Sequence, residues 1–156
     1  FGAAWLLGHL AAAVRAGVQA LTLPPLLGDD GLWWSRAGAW QATPAAALLD
    51  VCLRWHRLEH AELHHPDGTP ASHALATIAG NGPQGRQVLV ANLGANPQTL
   101  HWPHGGQWAC LDAAAWVQHE DDPSRSPWRA EGHAPSERVL GPYALARIDL
   151  PLHTGD

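Results

Sequence analysis

The spacing of apolar residues changes near residue 60, and this change limits the folds open to the chain. Before it, apolar residues recur every three to four positions in two stretches, residues 3–16 and 43–58, which is the period of an amphipathic helix. After it, short apolar runs alternate with turns, and ten of the 13 prolines lie from Pro66 onward. The pattern predicts an α/β segment over residues 1–60, followed by an all-β domain over residues 61–156.

The α/β segment is predicted to begin with a helix over residues 3–16. Leu6, Leu10 and Val14 follow one another at intervals of four, so they share one helix face. Gly17 comes directly after this run and suits a left-handed residue that ends the helix.

A short apolar strand is predicted over residues 18–23, then a long polar and aromatic loop over residues 24–43. Thr43 and Pro44 then open a second helix, which we expect to run to about Leu58. A helix–strand–helix unit cannot cover both faces of its own strand, so it needs the rest of a parallel sheet or barrel. The chain also lacks methionine and begins inside a helical pattern, and we therefore expect it to be part of a longer protein.

The second segment is predicted to be an antiparallel sandwich. The predicted strands cover residues 73–78, 87–92, 98–102, 107–112 and 143–150. The run from Val88 to Leu93 is apolar on both faces, as in a central strand. Residues 81–85 and 94–97 are typical of hairpin turns, and residues 120–134 are predicted to be an irregular loop.

Composition excludes several classes of function. The formal net charge is −5 and all nine basic residues are arginine, so the basic surface needed for nucleic-acid binding is missing. No apolar run reaches the roughly 18 residues that span a bilayer, so no membrane partner is expected. Two cysteines do not form a disulfide framework, and Cys52 is predicted to be a buried thiol within the second helix. No cofactor is predicted.

The loop after the predicted strand holds the candidate substrate-binding residues, Asp29, Asp30, Trp33 and Trp34. Acids can bind sugar hydroxyls while indoles stack on the C–H faces of a sugar ring. In α/β barrels, such loops at the carboxyl ends of strands form the active site. The alternative is that the indoles are hydrophobic lids that pack on the β domain.

Two further clusters have a chemical and a structural interpretation. His56 to His60 match the H-x-x-E-H pattern of a zinc site, but a solvated helix end is favoured because no third ligand is evident. Glu120, Asp121 and Asp122 beside His119 could act as an acid–base group, but a solvated loop is favoured in this Pro-rich stretch. No metal site is predicted.

Four tryptophans of the β domain could form a carbohydrate-binding platform or pack inside the protein. They are Trp102, Trp108, Trp116 and Trp128. Packing in the core or between domains is the favoured interpretation.

Three stretches together resemble the C-terminal third of the D-apionate lactonase family. They are the strings FGAAWLLG leading into GVQALT, VLVANLGANPQT at residues 88–99, and LGPYALARIDL at residues 140–150. The family resembles glycoside hydrolases with a (β/α)8 barrel followed by a β-sandwich. The resemblance implies that residues 3–16, 18–23 and 43–58 are the last helix–strand–helix of the barrel.

The resemblance also implies hydrolysis of a sugar-acid lactone by a bacterial, cytoplasmic enzyme, with a small sugar acid or carbohydrate as substrate. Catalytic carboxylates of such barrels follow earlier strands, so no catalytic residue is expected here and the chain alone should be inactive. Relatives carry an acid just after the eighth strand, whereas this chain has none before Asp29. A glycoside hydrolase of similar architecture and a non-catalytic carbohydrate-binding or structural sandwich remain alternatives, and the oligomeric state stays open.

Overall fold

The computed structural model describes residues 2–23, 25–28, 31–36, 38–65, 67–83, 85–133 and 136–150. Its helices are α1 (Gly2–Arg15), α2 (Pro44–Cys52) and α3 (Ala113–Asp121). Its strands are β1 (Trp33–Arg36), β2 (Ala39–Ala42), β3 (Leu58–His60), β4 (Leu75–Gly82), β5 (Gly85–Asn92), β6 (Gln98–His101), β7 (Gln107–Leu111), β8 (Arg129–His133), β9 (Glu137–Leu140) and β10 (Leu145–Asp149). None of the described helices is long and apolar enough to cross a membrane.

A six-stranded antiparallel sheet forms the centre of the molecule, in the order β3-β4-β5-β10-β7-β8. Strands β6 and β9 form a separate two-stranded sheet, and β1 and β2 form a hairpin. The central position predicted for residues 88–93 is confirmed, because β5 lies between β4 and β10. A small helical N-terminal part is thus followed by mostly antiparallel β-sheets that pack as a sandwich.

Side chains alternate between the two faces of the six-stranded sheet, as they must in extended strands. On β5, Leu89 and Ala91 join a first core with helices α1 and α2, whose Leu7 and Leu48 are fully buried there. Val88 and Val90 point to the other face and join a second core beneath the β6–β9 sheet. The six-stranded sheet is therefore covered by helices on one side and by the small sheet on the other.

Helix α1 forms as predicted, and its end is a Schellman motif. Gly17 has a φ of 70°, in the left-handed region. The Val18 N–H donates to the Ala13 carbonyl at 3.0 Å, and the Gly17 N–H donates to the Val14 carbonyl at 3.1 Å. These bonds satisfy carbonyls that the helix would otherwise leave unpaired.

The strand predicted over residues 18–23 is wrong for the described structure, which shows no regular element there. Val18 and Leu21 are half-exposed instead of packed. A strand exists only when its backbone groups pair with a neighbouring strand. No described segment lies alongside to supply that pairing, so the apolar pattern alone does not produce a strand.

Helix α2 begins as predicted, but it ends at Cys52 and not near Leu58. Thr43 is the N-cap, since its side chain accepts from the Ala46 N–H at 3.4 Å. Beyond Cys52, the N–H groups of Arg54 and Trp55 bond to carbonyls three residues back, which tightens the last turn. The apolar spacing therefore persists to Trp55 although the α-helix has ended.

Several polar elements lie where the sequence predicts loops. The hairpin β1–β2 occupies part of the predicted loop over residues 24–43, and α3 and β8 occupy parts of the predicted loop over residues 120–134. The expected hairpin between β4 and β5 is confirmed by the pairing of Gly82 with Gly85. Residues 94–97 do not form a hairpin, because β6 leaves the sheet of β5 and pairs with β9.

The four sandwich tryptophans pack inside the protein. Trp102, Trp108 and Trp128 are buried, and Trp116 is partly buried against the first core. The predicted core packing is confirmed, and the buried indoles offer no open platform for a sugar. Cys52 and Cys110 are buried free thiols, which confirms the structural interpretation of Cys52.

Candidate functional site

The hairpin β1–β2 separates the tryptophans of the predicted substrate loop onto two faces. Its register places Trp34 opposite Gln41, and Ser35 opposite Trp40. Because directly opposite residues share a face and neighbours along a strand do not, Trp33 lies on the same face as Trp40, whereas Trp34 lies on the reverse. The sequence-based pair of Trp33 and Trp34 therefore cannot present two ring faces side by side.

The two faces of the hairpin also differ in exposure. Trp33 is 40% exposed and Trp40 is 55% exposed, so their face is open. On the reverse face, the indole Nε1 of Trp34 and the Oε1 of Gln41 are buried without a hydrogen-bond partner among the described residues. Sequence reasoning omitted Trp40 from the site. Gly38, whose φ is 83°, is the signal that could have found it, because it separates two short β-like runs.

A compact turn before β1 holds the hairpin against the start of α2. The Leu32 N–H donates to the Pro25 carbonyl at 3.1 Å, and the Thr43 hydroxyl donates to the Leu32 carbonyl at 3.1 Å. A Cβ at Gly31 would lie 2.8 Å from the Leu27 carbonyl carbon, so only glycine fits the turn without a shift. The two predicted acids of this loop, Asp29 and Asp30, lie outside the described residues.

Exposed apolar side chains are frequent in the part of the chain that contains α1 and the hairpin. Seven large apolar residues between positions 5 and 40 are at least 40% exposed: Trp5, Val18, Leu21, Leu26, Leu27, Trp33 and Trp40. Two of them, Trp5 and Leu21, line a cleft of about 460 Å³ together with Leu6 and His9. Exposed apolar residues gathered in one region are typical of a surface that another body covers.

The two cysteines are unsuited to nucleophilic chemistry. Burial raises the pKa of Cys52 to about 12. Burial, and then the charge of Asp112, raises the pKa of Cys110 to about 11. A thiol must lose its proton to attack a carbonyl, so both are structural residues.

The acidic run beside His119 ends α3 and forms a local turn. Hydrogen bonds from the Ser124 hydroxyl and N–H, followed by the nearby Arg125, lower the pKa of Asp122. His119 Nδ1 lies 2.7 Å from the Arg125 carbonyl. An exposed carboxylate held in its ionised form stabilises the turn.

The H-x-x-E-H stretch does not form the helix face that a zinc site requires. His56 follows the end of α2, and His60 lies at the end of β3. The His56 N–H donates to the Asn81 carbonyl at 3.1 Å, which holds this segment beside β4. In the described part of the chain, no group of three His, Cys, Asp or Glu residues is arranged to hold a metal ion.

Asn92 joins two of the strings that carry the family resemblance. Its buried Nδ2 lies 2.8 Å from the Asn96 carbonyl and 2.9 Å from the Gly141 carbonyl. Its Oδ1 accepts from the Gly94 N–H at 2.9 Å. One side chain thus fixes both the loop after β5 and the turn before β10.

Comparison with known families identifies this part of the chain. Residues 72–148 match the family model described as D-apionate lactonase, C-terminal immunoglobulin-like domain. The segment belongs to that family. The family segment contains strands β4 to β9 and most of β10, whereas the hairpin and helices α1 and α2 precede it. No curated protein matches the chain.

Proposed function

We propose that the chain is the C-terminal portion of a sugar-acid lactone hydrolase. The match of residues 72–148 to the C-terminal domain of D-apionate lactonase carries this proposal and favours lactone over glycoside hydrolysis. In the reaction, water attacks the lactone carbonyl, the ring C–O bond breaks, and a hydroxy acid is released. A small sugar-acid substrate, a bacterial origin and a cytoplasmic location belong to the same proposal.

The chemical groups of the described residues support a non-catalytic role for this portion. Lactone hydrolysis needs a base that activates water and donors that stabilise the tetrahedral oxyanion. Neither buried thiol can serve, and Asp122 is held as an exposed carboxylate within a local turn. Because the catalytic carboxylates of barrels of this family follow earlier strands, we place the catalytic groups in another part of the parent protein and expect the chain by itself to be inactive.

The proposed role of the sandwich is to buttress the barrel. Two buried indoles support it, because they tie α2 to the six-stranded sheet. Trp55 Nε1 donates to Gln87 Oε1 at 2.6 Å, and Trp128 Nε1 donates to the Ala47 carbonyl at 3.4 Å. The exposed apolar residues of α1 and of the segment after it, including Trp5 and Leu21, support a contact with the rest of the barrel.

The hairpin is the proposed substrate-contacting element. The open face with Trp33 and Trp40 suits stacking on the C–H face of a sugar ring. Trp34 lies on the buried reverse face, and its Nε1 has no hydrogen-bond partner among the described residues, so its contact with substrate would require a sugar oxygen that reaches this face. Asp29 and Asp30 stay candidate ligands of the sugar hydroxyls.

Kinetics of the full-length parent enzyme test this proposal. Trp33→Ala and Trp40→Ala should each raise KM for D-apionate lactone or lower kcat, with the circular dichroism spectrum unchanged. Val117→Ala serves as a control, because Val117 is exposed on α3 in the sandwich. Hydrolysis of the lactone by this chain alone, or activity of the parent on p-nitrophenyl glycosides but not on the lactone, would contradict the proposal.

A further inference from the structure

A second cleft lies on the far side of the sandwich, where the link between β3 and β4 crosses the small sheet. Its volume is about 660 Å³. We call it the histidine groove, and its polar lining includes Glu62, His64, His65, His101, His104 and Glu137. This volume is in the range of small-molecule sites, and the groove takes no part in the proposed function.

One wall of the groove is the segment 61–65, which backbone bonds hold in place. The Leu63 carbonyl accepts from the Ala71 N–H at 2.9 Å, and the His65 N–H donates to the Thr69 carbonyl at 2.8 Å. The Ala61 carbonyl accepts from the Thr77 hydroxyl, and Ala61 and Leu63 pack on the second core. The wall is therefore part of the folded structure.

The opposite wall is the end of β6 with the turn that follows it. The Trp102 N–H donates to the Ser136 carbonyl at 2.8 Å, and its indole Nε1 donates to the Gly105 carbonyl at 2.8 Å. The His104 ring stands edge-on to this indole, with ring centroids 5.6 Å apart. The buried indole thus fixes the turn that carries His104.

The walls approach each other through imidazole rings. The His65 and His101 ring centroids are 6.0 Å apart across the groove. His101 Nδ1 lies 3.7 Å from a carboxylate oxygen of Glu137. The rings of His65 and His104 and the hydroxyl of Ser136 have no hydrogen-bond partner within the described part of the chain, so they are available to a ligand.

We infer that the histidine groove binds a neutral polyhydroxylated ligand, such as a saccharide. Each neutral imidazole both donates and accepts a hydrogen bond, and so does the Ser136 hydroxyl. Sugar hydroxyls have the same dual capacity. Among the described residues no lysine or arginine lines the groove, and the carboxylates of Glu62 and Glu137 repel anions, so an anionic sugar acid or phosphate is disfavoured. A polyamine offers only donors and would leave the imidazole N–H groups without acceptors.

Titration of the 15N-labelled chain at pH 7.5 tests the inference with three probes of different charge. Methyl β-D-glucopyranoside is neutral, glucuronate is an anion and putrescine is a cation. The neutral glycoside should give saturable amide shifts confined to residues 61–65, 101–104 and 136–137, with millimolar affinity. Glucuronate and putrescine should bind at least tenfold more weakly.

Variants separate a binding role from a structural one. His101→Ala should weaken binding of the glycoside at least fivefold, whereas the exposed His133→Ala on β8 should leave it unchanged. Glu137→Gln should leave binding of the glycoside within twofold and raise the relative affinity for glucuronate, which loss of folding would not do. The inference is overturned if the glycoside gives no saturable shift up to 50 mM, a range chosen to exceed about ten times a weak millimolar Kd. It is also overturned if glucuronate or putrescine binds as tightly as the glycoside. A third contradicting result is a His101→Ala chain that binds the glycoside with unchanged affinity and has an unchanged unfolding midpoint.

Discussion

The contact between Trp55 and Gly80 offers the sharpest test of how the helical layer is held to the sheet. Trp55 is 8% exposed and its ring lies over β4. A methyl group at residue 80 would lie 2.7 Å from the indole Cγ and closer still to two other ring carbons. Gly80→Ala should therefore force the indole out of its site, because the ring cannot share this space.

The expected loss of stability follows from the buried area of the indole. A buried tryptophan removes about 150–250 Å² from water, worth about 25 cal/mol per Å², or roughly 4–6 kcal/mol for complete expulsion. The hydrogen bond to Gln87 adds about 1 kcal/mol. Since the site relaxes in part, we expect Gly80→Ala to lower the free energy of unfolding by about 3–5 kcal/mol.

Urea unfolding of four chains, followed by far-UV circular dichroism, measures this coupling as a double-mutant cycle. The chains are the parent sequence, Gly80→Ala, Trp55→Ala and the double variant. Without the indole, an alanine at position 80 meets no ring, and its strand preference over glycine makes the change neutral or stabilising. The coupling energy should therefore be at least about 2 kcal/mol. Gly141→Ala is the matched control, because a Cβ there meets nothing within 4 Å.

Two results would refute this reasoning. One is a decrease in the free energy of unfolding of less than about 1 kcal/mol for Gly80→Ala in the parent sequence, which would mean that the indole ring moves aside freely. The other is an equal decrease in the free energy of unfolding when Gly80→Ala is made in the Trp55→Ala background. The destabilisation would then come from the strand itself and not from the contact with the indole.

Three further predictions concern the buried polar and apolar interior. Asn92→Ala should lower the free energy of unfolding by about 2–4 kcal/mol in urea, because it leaves several backbone groups without partners. Burial raises the pKa of Cys52 from 9.0 to about 12 and that of Cys110 to about 11, so the unfolded chain loses these protons first. The free energy of unfolding should therefore be highest below pH 9 and fall as the pH rises from 9 towards 12, and urea midpoints at pH 8 and pH 10 check this. A chain of residues 61–150 should bind the dye ANS more strongly than one of residues 2–150, because it lacks α1 and α2 over the first core.

The sequence predicts best those elements whose own apolar residues show which faces are buried. The run of β5 is apolar on both faces, and the structure places it in the centre of the sheet. Helix α1 has a continuous apolar face and a terminal glycine, and both its bounds agree within one residue. In these segments, local pattern and tertiary packing favour the same structure.

The sequence fails where pairing, and not residue type, creates the element. Strand β8 reads Arg-Ala-Glu-Gly-His and has no apolar alternation, yet it pairs with β7 along the edge of the sheet. Residues 18–23 show the reverse case. They are apolar enough for a strand, but no neighbouring strand in the described structure pairs with them. For the candidate site, the composition of the loop identifies Trp33, but only the register of the hairpin shows that Trp40 shares its face.

The change in apolar spacing near residue 60 marks a change from helices to strands. It does not mark the boundary of a hydrophobic core. Hydrophobic spacing shows which face of an element is buried, whereas tertiary packing decides what covers that face. Leu7 and Leu48 precede the change and Ile78 and Leu89 follow it, yet all four belong to one buried cluster. The family segment begins at residue 72, so the helices that cover this sheet face lie outside it. The division at residues 60 and 61 stays a prediction, and the shared core is the reason to expect that the smallest stable unit includes α1.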